Sequence, residues 1–197
     1  MTSLARLRSD PRIAGLESAL ASRSCVEVSD PRARRAAVAI LIRLGESGEP
    51  EILFIQRAQY HGDPWSGQIA FPGGREENED GNLTATAIRE AFEELDYDLA
   101  SDATLIGVLD DLSPRIIGLP RVVVRPFVFL MADPPAPRHS PEVAESFWVP
   151  LSVLLDRSVW RDTDVVAGLS RFAFHHEGYV IWGMTERILS GLLEMFE

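Results

Sequence analysis

The stretch whose reading decides the fold begins Phe71-Pro72-Gly73-Gly74 and continues, past a polar and acidic run from Arg75 to Asn82, into Arg89-Glu90-Ala91-Phe92-Glu93-Glu94-Leu95. From Thr84 onward apolar residues recur at Ala85, Ile88, Phe92 and Leu95, a spacing that predicts a helix ending at about Leu95 or Asp96. On that helix Glu90, Glu93 and Glu94 share a face, and Arg89 and Glu93 form an i, i+4 pair. Crowded carboxylates repel unless a cation joins them, and hard oxygen ligands suit Mg²⁺ or Mn²⁺. The Gly73-Gly74 pair lets the main chain approach the carboxylates where a side chain would obstruct. Such a cluster suits a metal-assisted attack of water on a phosphate. A Glu-rich helix face is also common solvated surface, so the spacing of the whole stretch has to carry the reading.

Strand signals flank this stretch on both sides. Asp30-Pro31 marks a turn, and Ala36 to Ile42 has the length and composition of a buried strand. Gly45 to Pro50 reads as a hairpin turn, Glu51 to Ile55 as a second strand, and Tyr60 to Gly67 as a loop. Downstream, Ala103 to Asp110 and Val122 to Met131 read as strands joined by a loop with Pro114, Gly118 and Pro120. Phe147 to Pro150, Phe172 to Phe174 and Tyr179 to Trp182 are shorter strands; Leu151 to Leu155 is a helical turn. Thr185 to Phe196 carries the stripe of a C-terminal amphipathic helix. Leu4, Ile13, Leu16 and Leu20 suggest one or two short helices before Ala21, peripheral to the rest. The expected division is a helical extension over 1–30 and one domain over 31–197.

Composition narrows the chemistry. All 19 basic residues are Arg, which excludes a P-loop lysine and a Schiff-base nucleophile, so phosphate must be met by Arg, metal or backbone N–H. A net charge of −11 disfavours nucleic acid and anionic membrane surfaces as partners. Cys25 is the single cysteine, which fits a reducing cytoplasm, and the first twelve residues lack the apolar run of a secretory signal. No apolar run approaches the ~20 residues of a spanning helix.

Taken together, Gly73-Gly74, Arg89-Glu90 and Glu93-Glu94 resemble the Nudix box, G-x5-E-x7-R-E-U-x-E-E-x-G-U, where U is aliphatic. Counted from Gly74 the box Glu falls on Asp80, eight residues precede Arg89, and Asp96 and Tyr97 stand at the final Gly-U. The likeness extends from about Arg34 to the C-terminus. Arg57-Ala58, Gly67, Phe71 to Gly74, Leu109-Asp110-Asp111 and Ile181 to Thr185 resemble the branch of Nudix enzymes that cleaves coenzyme A. That branch's signature, L-L-T-x-R-[SA]-x3-R-x3-G-x3-F-P-G-G, is met in part: Gly62 replaces its second Arg, and one extra residue separates Arg57 from Gly67.

The resemblance implies an α/β fold, an α/β/α sandwich around a mixed sheet. It implies Mg²⁺- or Mn²⁺-dependent hydrolysis of a nucleoside diphosphate, with coenzyme A or an acyl derivative favoured. Nucleotide sugars, ADP-ribose and modified nucleoside triphosphates are the alternatives within the enzyme class, and a non-catalytic nucleotide sensor is the alternative outside it. By the same resemblance Glu90, Glu94 and the carbonyl of Gly73 hold metal, and Glu93 is a third ligand through water or the general base. Arg89 orients the glutamates, and Glu142 or Glu145 is the other source of a base. Arg35 and Arg57, with Gly74, are the expected substrate contacts; Arg34 shares their strand-end position, and ion pairing is the alternative use for these arginines. His175-His176 point to opposite sides of a strand and do not read as a metal pair. Trp65 could anchor its loop or stack on a base, and Asp110-Asp111 shape the site edge or cap a turn. A homodimer is left open.

Overall fold

The structure, a computed structural model, describes residues 2–61, 65–114, 120–166 and 169–196. Gly62 and Gly118, on which two readings of the sequence fall, lie outside the described residues. The elements run α1 (Ser3–Arg8), α2 (Pro11–Ala21), β1 (Arg34–Leu44), β2 (Pro50–Arg57), β3 (Ile69–Ala70), β4 (Gly73–Arg75), α3 (Leu83–Leu95) and α4 (Leu99–Asp102). They continue β5 (Ala103–Val108), β6 (Val122–Met131), β7 (Val143–Pro150), α5 (Leu151–Leu155), β8 (Trp160–Val166), β9 (Leu169–His176), β10 (Tyr179–Ile181) and α6 (Gly183–Leu193).

Strands β3, β2, β1, β6 and β5 lie side by side in that order, with β4 paired to β1 and β7 to β2. The β1 and β6 pairing is parallel and the others are antiparallel, which makes the sheet mixed. The central strands are apolar on both faces, as expected where helices cover both sides of a sheet. Along β1, Ala36, Ile40 and Ile42 enter one core; Ala37, Ala39 and Leu41 enter the other. The first core holds α1, α2, α5, α6 and the antiparallel sheet of β8, β9 and β10; the second holds α3 and α4. This is the α/β/α sandwich that the sequence led us to expect.

One expectation needs correction. The N-terminal helices are not peripheral: Leu7, Ile13 and Leu16 are fully buried in the first core, and Leu20 packs so closely on β5 that a Cβ at Gly107 would meet its Cβ at 2.6 Å. In helix α3, Leu95 is buried and Ile88 packs against the second core, as their spacing marks, while Phe92 of the same set does not. Its small side chains Ala87 and Ala91 are fully buried in the core shared with Ala37 and Ala39 of β1, whereas Phe92 is 54% exposed. Alanine on alanine lets helix and sheet approach closely, and that approach presents Glu90 and Glu94 to the glycines of β4. The strand β8, which the alternation of Trp160 to Val166 did not announce, is built by pairing with β9.

Candidate active site

Strand β4 is the local device that forms the site. Its Gly73 and Gly74 pair with Val38 and Ala37 of β1. Gly73 has φ of 155°, and a Cβ there would lie 2.7 Å from the Cα of Val38 and overlap the carbonyl oxygen of Ala37. A Cβ on Gly74 would overlap the carboxylate of Glu90. The two glycines therefore bring main chain directly against acid side chains from α3.

The acids differ in burial. Glu94 is only 4% exposed and accepts a hydrogen bond of 2.9 Å from the N–H of Gly73. Burial pushes its carboxyl up to about 8, with the Gly73 bond opposing and the charge of Glu90 adding to the rise. Burial also raises Glu90, against the pull of Arg89. Glu93 stands at the rim with its side chain 55% exposed.

Arg89 ties the cluster together. Its Nη1 donates to Glu90 and to Glu93, at 3.0 Å each, and its Nη2 donates to the carbonyl of Arg75 at 2.9 Å. Its Nε and Nη2 grip both oxygens of Asp80 at 2.8 and 3.1 Å. The Asp80 side chain is 3% exposed and accepts further from Thr86 Oγ1 at 2.8 Å and Glu77 N–H at 2.9 Å. Hydrogen bonding from Arg89 holds the Asp80 carboxyl well below the usual carboxylate range. Asp80 is the residue whose role the sequence reading missed; its place at the box Glu was the signal. Asp96, at the final Gly of the box, closes α3 in the left-handed conformation with φ of 62°, so the helix ends as a glycine would end it.

A cavity of about 540 Å³ opens along β1, β3 and β4. Glu90, Glu93, Gly74, Arg89, Arg57 and Glu142 all line it. Glu142 rides on a loop tied to both sides of the site: its carbonyl accepts from Ala58 N–H at 2.8 Å, and Ser140 N–H donates to the carbonyl of Glu94 at 3.0 Å. Its charge adds to the raising of both Glu90 and Glu94. Glu145 instead lies beside Tyr179, whose hydroxyl is pushed up first by burial and then by Glu145. The structure does not bring Arg35 into the cavity. Its guanidinium pairs with Glu76 at 3.3 Å, and the neighbouring Arg34, one residue along the alternating strand, lines the cavity with Arg121. Trp65, Met184 and Ile188 supply apolar wall.

Other candidates fall outside. His175 and His176 line no part of this cavity; burial holds His175 below its ordinary value, and His176 lies 3.9 Å from Glu177. Asp110 and Asp111 secure the segment before β1. Asp110 accepts from Val26 N–H at 2.7 Å and pairs with Arg23, while Asp111 accepts from Val28 N–H and grips Arg125 at 2.7 and 2.9 Å.

The donor set suits a hard divalent cation: carboxylates within one helical turn, two of them raised by burial, beside backbone stripped of side chains. Among the described residues, no group of three His, Cys, Asp or Glu side chains already converges on one point. Arg89 occupies Glu90 and Glu93 as they stand, so a bound ion would compete with its guanidinium for them.

Fold and site together define a class. Residues 33–169 match the NUDIX domain, and the chain belongs to the Nudix hydrolase family, whose members generally need divalent metals such as Mg²⁺ or Mn²⁺. An uncharacterized Nudix hydrolase of Yersinia pestis, NudL, is 35% identical over 165 residues, spanning 82% of this chain and 79% of its own. Among solved structures, a MutT/nudix family protein from Enterococcus faecalis superposes with a TM-score of 0.55 at 13% identity, over 95% of this chain and 71% of the other. The NUDIX domain of Shewanella oneidensis NrtR, solved with ADP ribose, gives 0.50 at 20% identity, over 64% and 81%. At these identities the structural likenesses speak for the fold. Among the described residues no helix is long and apolar enough to cross a membrane.

Proposed function

We propose that this Nudix hydrolase cleaves the diphosphate of coenzyme A or an acyl derivative, releasing 3′,5′-ADP and a phosphopantetheine product. The observation that carries the reading is the cavity itself: acids on α3, Glu142 and the neighbouring Arg57 line about 540 Å³ together, with Ile69, Phe71, Met184 and Ile188 as an apolar wall. An elongated substrate with a charged diphosphate and a long, weakly polar arm matches that lining. Arg57-Ala58, Phe71 to Gly74 and Ile181 to Thr185, the segments that resemble the coenzyme A branch, all contribute residues to it or adjoin it.

In this reading Glu90, Glu94 and the Gly73 carbonyl hold Mg²⁺ or Mn²⁺. Bound there, the ion supplies Lewis acidity toward the diphosphate oxygens and lowers the pKa of water. Asp80 fixes Arg89, and Arg89 sets the rotamers of Glu90 and Glu93. Glu142 or Glu93 takes the proton from the attacking water. Arg57 meets phosphate oxygens, and Gly74 leaves room for them. Water oxygen bonds to one phosphorus, the bridging P–O bond breaks, and the two monophosphates leave. The division into an extension over 1–30 and a domain over 31–197 stands as a proposal, qualified by their shared core. A reducing, cytoplasmic setting goes with the sole cysteine.

The test is product release from coenzyme A, ADP-ribose and UDP-glucose with Mg²⁺ or Mn²⁺, each followed chromatographically. The reading expects coenzyme A to give the highest kcat/KM. Preference for either other diphosphate removes the coenzyme assignment, and no turnover of any of them favours a sensor.

A further inference from the structure

We propose that Arg34 and Arg121 form a second anion subsite, which binds a phosphate monoester carried on the nucleoside of the substrate in addition to the diphosphate. The inference rests on reading the cavity as a nucleoside diphosphate site and names a further feature of the substrate.

The two residues start neighbouring parallel strands. Arg34 is in register with Val122, and its N–H donates to the carbonyl of Arg121 at 3.0 Å. Both side chains line the cavity. They stand apart from the acids of α3: Val38 pairs with Gly73, and Arg34 lies four residues before Val38, about 13 Å along an extended strand, on the stretch of cavity wall where Arg75, paired with Ala36, and Glu77 also stand. Ala36, Val122 and Val124 form an apolar floor between the two ends of the cavity. A diphosphate held beside Gly73 and Gly74 has a span several times too short to cover that floor, so the arginines face a different part of the ligand.

Their charge is not spent within the protein. Arg121 Nη1 pairs with Asp30 at 2.9 Å, and Asp30 is itself fixed by Arg32 N–H at 3.0 Å; among the described residues, Arg34 has no side-chain partner. Asp30 pairs with Arg121 and also lies 4.0 Å from the Nε of Arg32, so its single carboxylate does not neutralise Arg34 and Arg121 together. A dianionic phosphate monoester offsets their charge and offers oxygens to two planar forks, the geometry in which Arg binds phosphate best. Arg75, paired with Ala36, lines the cavity as well, and with no lysine in the chain it is arginines that bring positive charge to that end.

The experiment compares the binding of 3′,5′-ADP and 5′-AMP by calorimetry to the wild type, Arg34→Met and Arg121→Met, with coenzyme A turnover followed in parallel. The wild type is expected to bind the bisphosphate about tenfold tighter, the scale of one charge-assisted contact, and each variant to bring that ratio toward one. Equal affinities in the wild type, a ratio that persists in both variants, or equal weakening of both nucleotides would overturn the subsite. A wild-type ratio near ten that falls in both variants, with no cleavage of coenzyme A, removes the coenzyme reading and upholds the subsite; cleavage with a wild-type ratio of one removes the subsite alone. Both side chains lie at the exposed surface, so the variants should melt with the wild type, which the same samples can confirm.

Discussion

Replacing Asp80 with Asn tests the support beneath the acid cluster. The Asp80 carboxylate takes two bonds from Arg89, one from Thr86 and one from Glu77, in a site where its side chain is 3% exposed and that of Arg89 is 22%. An amide of the same shape keeps one acceptor and turns an N–H₂ toward the guanidinium. Breaking a buried ion pair from one side costs ~3–5 kcal/mol. Arg89 retains Glu90, Glu93 and the Arg75 carbonyl, so the low end, about 3 kcal/mol, applies. For a chain of this size 1 kcal/mol moves Tm by ~2–4 °C, which places the variant roughly 6–12 °C below the wild type. Calorimetry in EDTA at pH 7 reads this without a contribution from metal. The sign of the pH dependence follows from the depressed carboxyl. A group held below its unfolded value contributes fully above that value, here 3.8, and loses its contribution as pH falls toward the folded pKa. The gap between the two proteins should therefore narrow below about pH 4. A variant melting within about 1 °C of the wild type at pH 7 would refute the argument that Arg89 depends on Asp80.

Gly74→Ala should abolish turnover while leaving the protein folded, because the added methyl overlaps the Glu90 carboxylate and not the core; normal kcat in a steady-state assay would contradict that. Asp96→Gly should raise Tm by about 2 °C, since a left-handed conformation costs an L residue ~1 kcal/mol and the exposed pair with Arg138 offers little in return. A chain beginning at residue 31 loses Leu7, Ile13, Leu16 and Leu20 from the first core. At ~1.5–3 kcal/mol for each buried side chain the loss reaches about 6–12 kcal/mol, most of a typical domain's stability, so it should not unfold cooperatively. A sharp melting transition in that truncated chain would make residues 1–30 a dispensable extension.

Buried strands such as Ala36 to Ile42 and the marked helix after Thr84 were legible from local pattern, whereas the layer order and the mixed sheet were expected only through the resemblance of Gly73-Gly74 and Arg89 to Glu94 to the Nudix box. The closeness of α3 to the sheet was not legible: Ile88 and Leu95 mark its packing face, but the smallness of Ala87 and Ala91, which lets it approach, is not weighed by a hydrophobicity pattern, and Phe92 stays exposed. The burial of α1 and α2 was hidden because it rests on few side chains, chiefly Leu7, Ile13, Leu16 and Leu20. Within the site, helical spacing brought Glu90, Glu93 and Glu94 to one face, and the resemblance to the Nudix box singled them out together with Gly73 and Gly74. The choice between Arg34 and Arg35 could not be made from sequence, because strand alternation says that one faces the cavity without saying which. Nor could the choice between Glu142 and Glu145, which depends on where the loop before β7 is tied.

The central claim, that Glu90 and Glu94 recruit a divalent cation for diphosphate hydrolysis, is tested most directly by coenzyme A turnover in wild type and Glu94→Gln, each with Mg²⁺ and with EDTA. The account predicts products from the wild type with Mg²⁺, none with EDTA, and a loss of at least about a hundredfold in Glu94→Gln, the scale of removing a group that stabilises the transition state. Turnover in EDTA, or equal turnover by Glu94→Gln and the wild type, would contradict it.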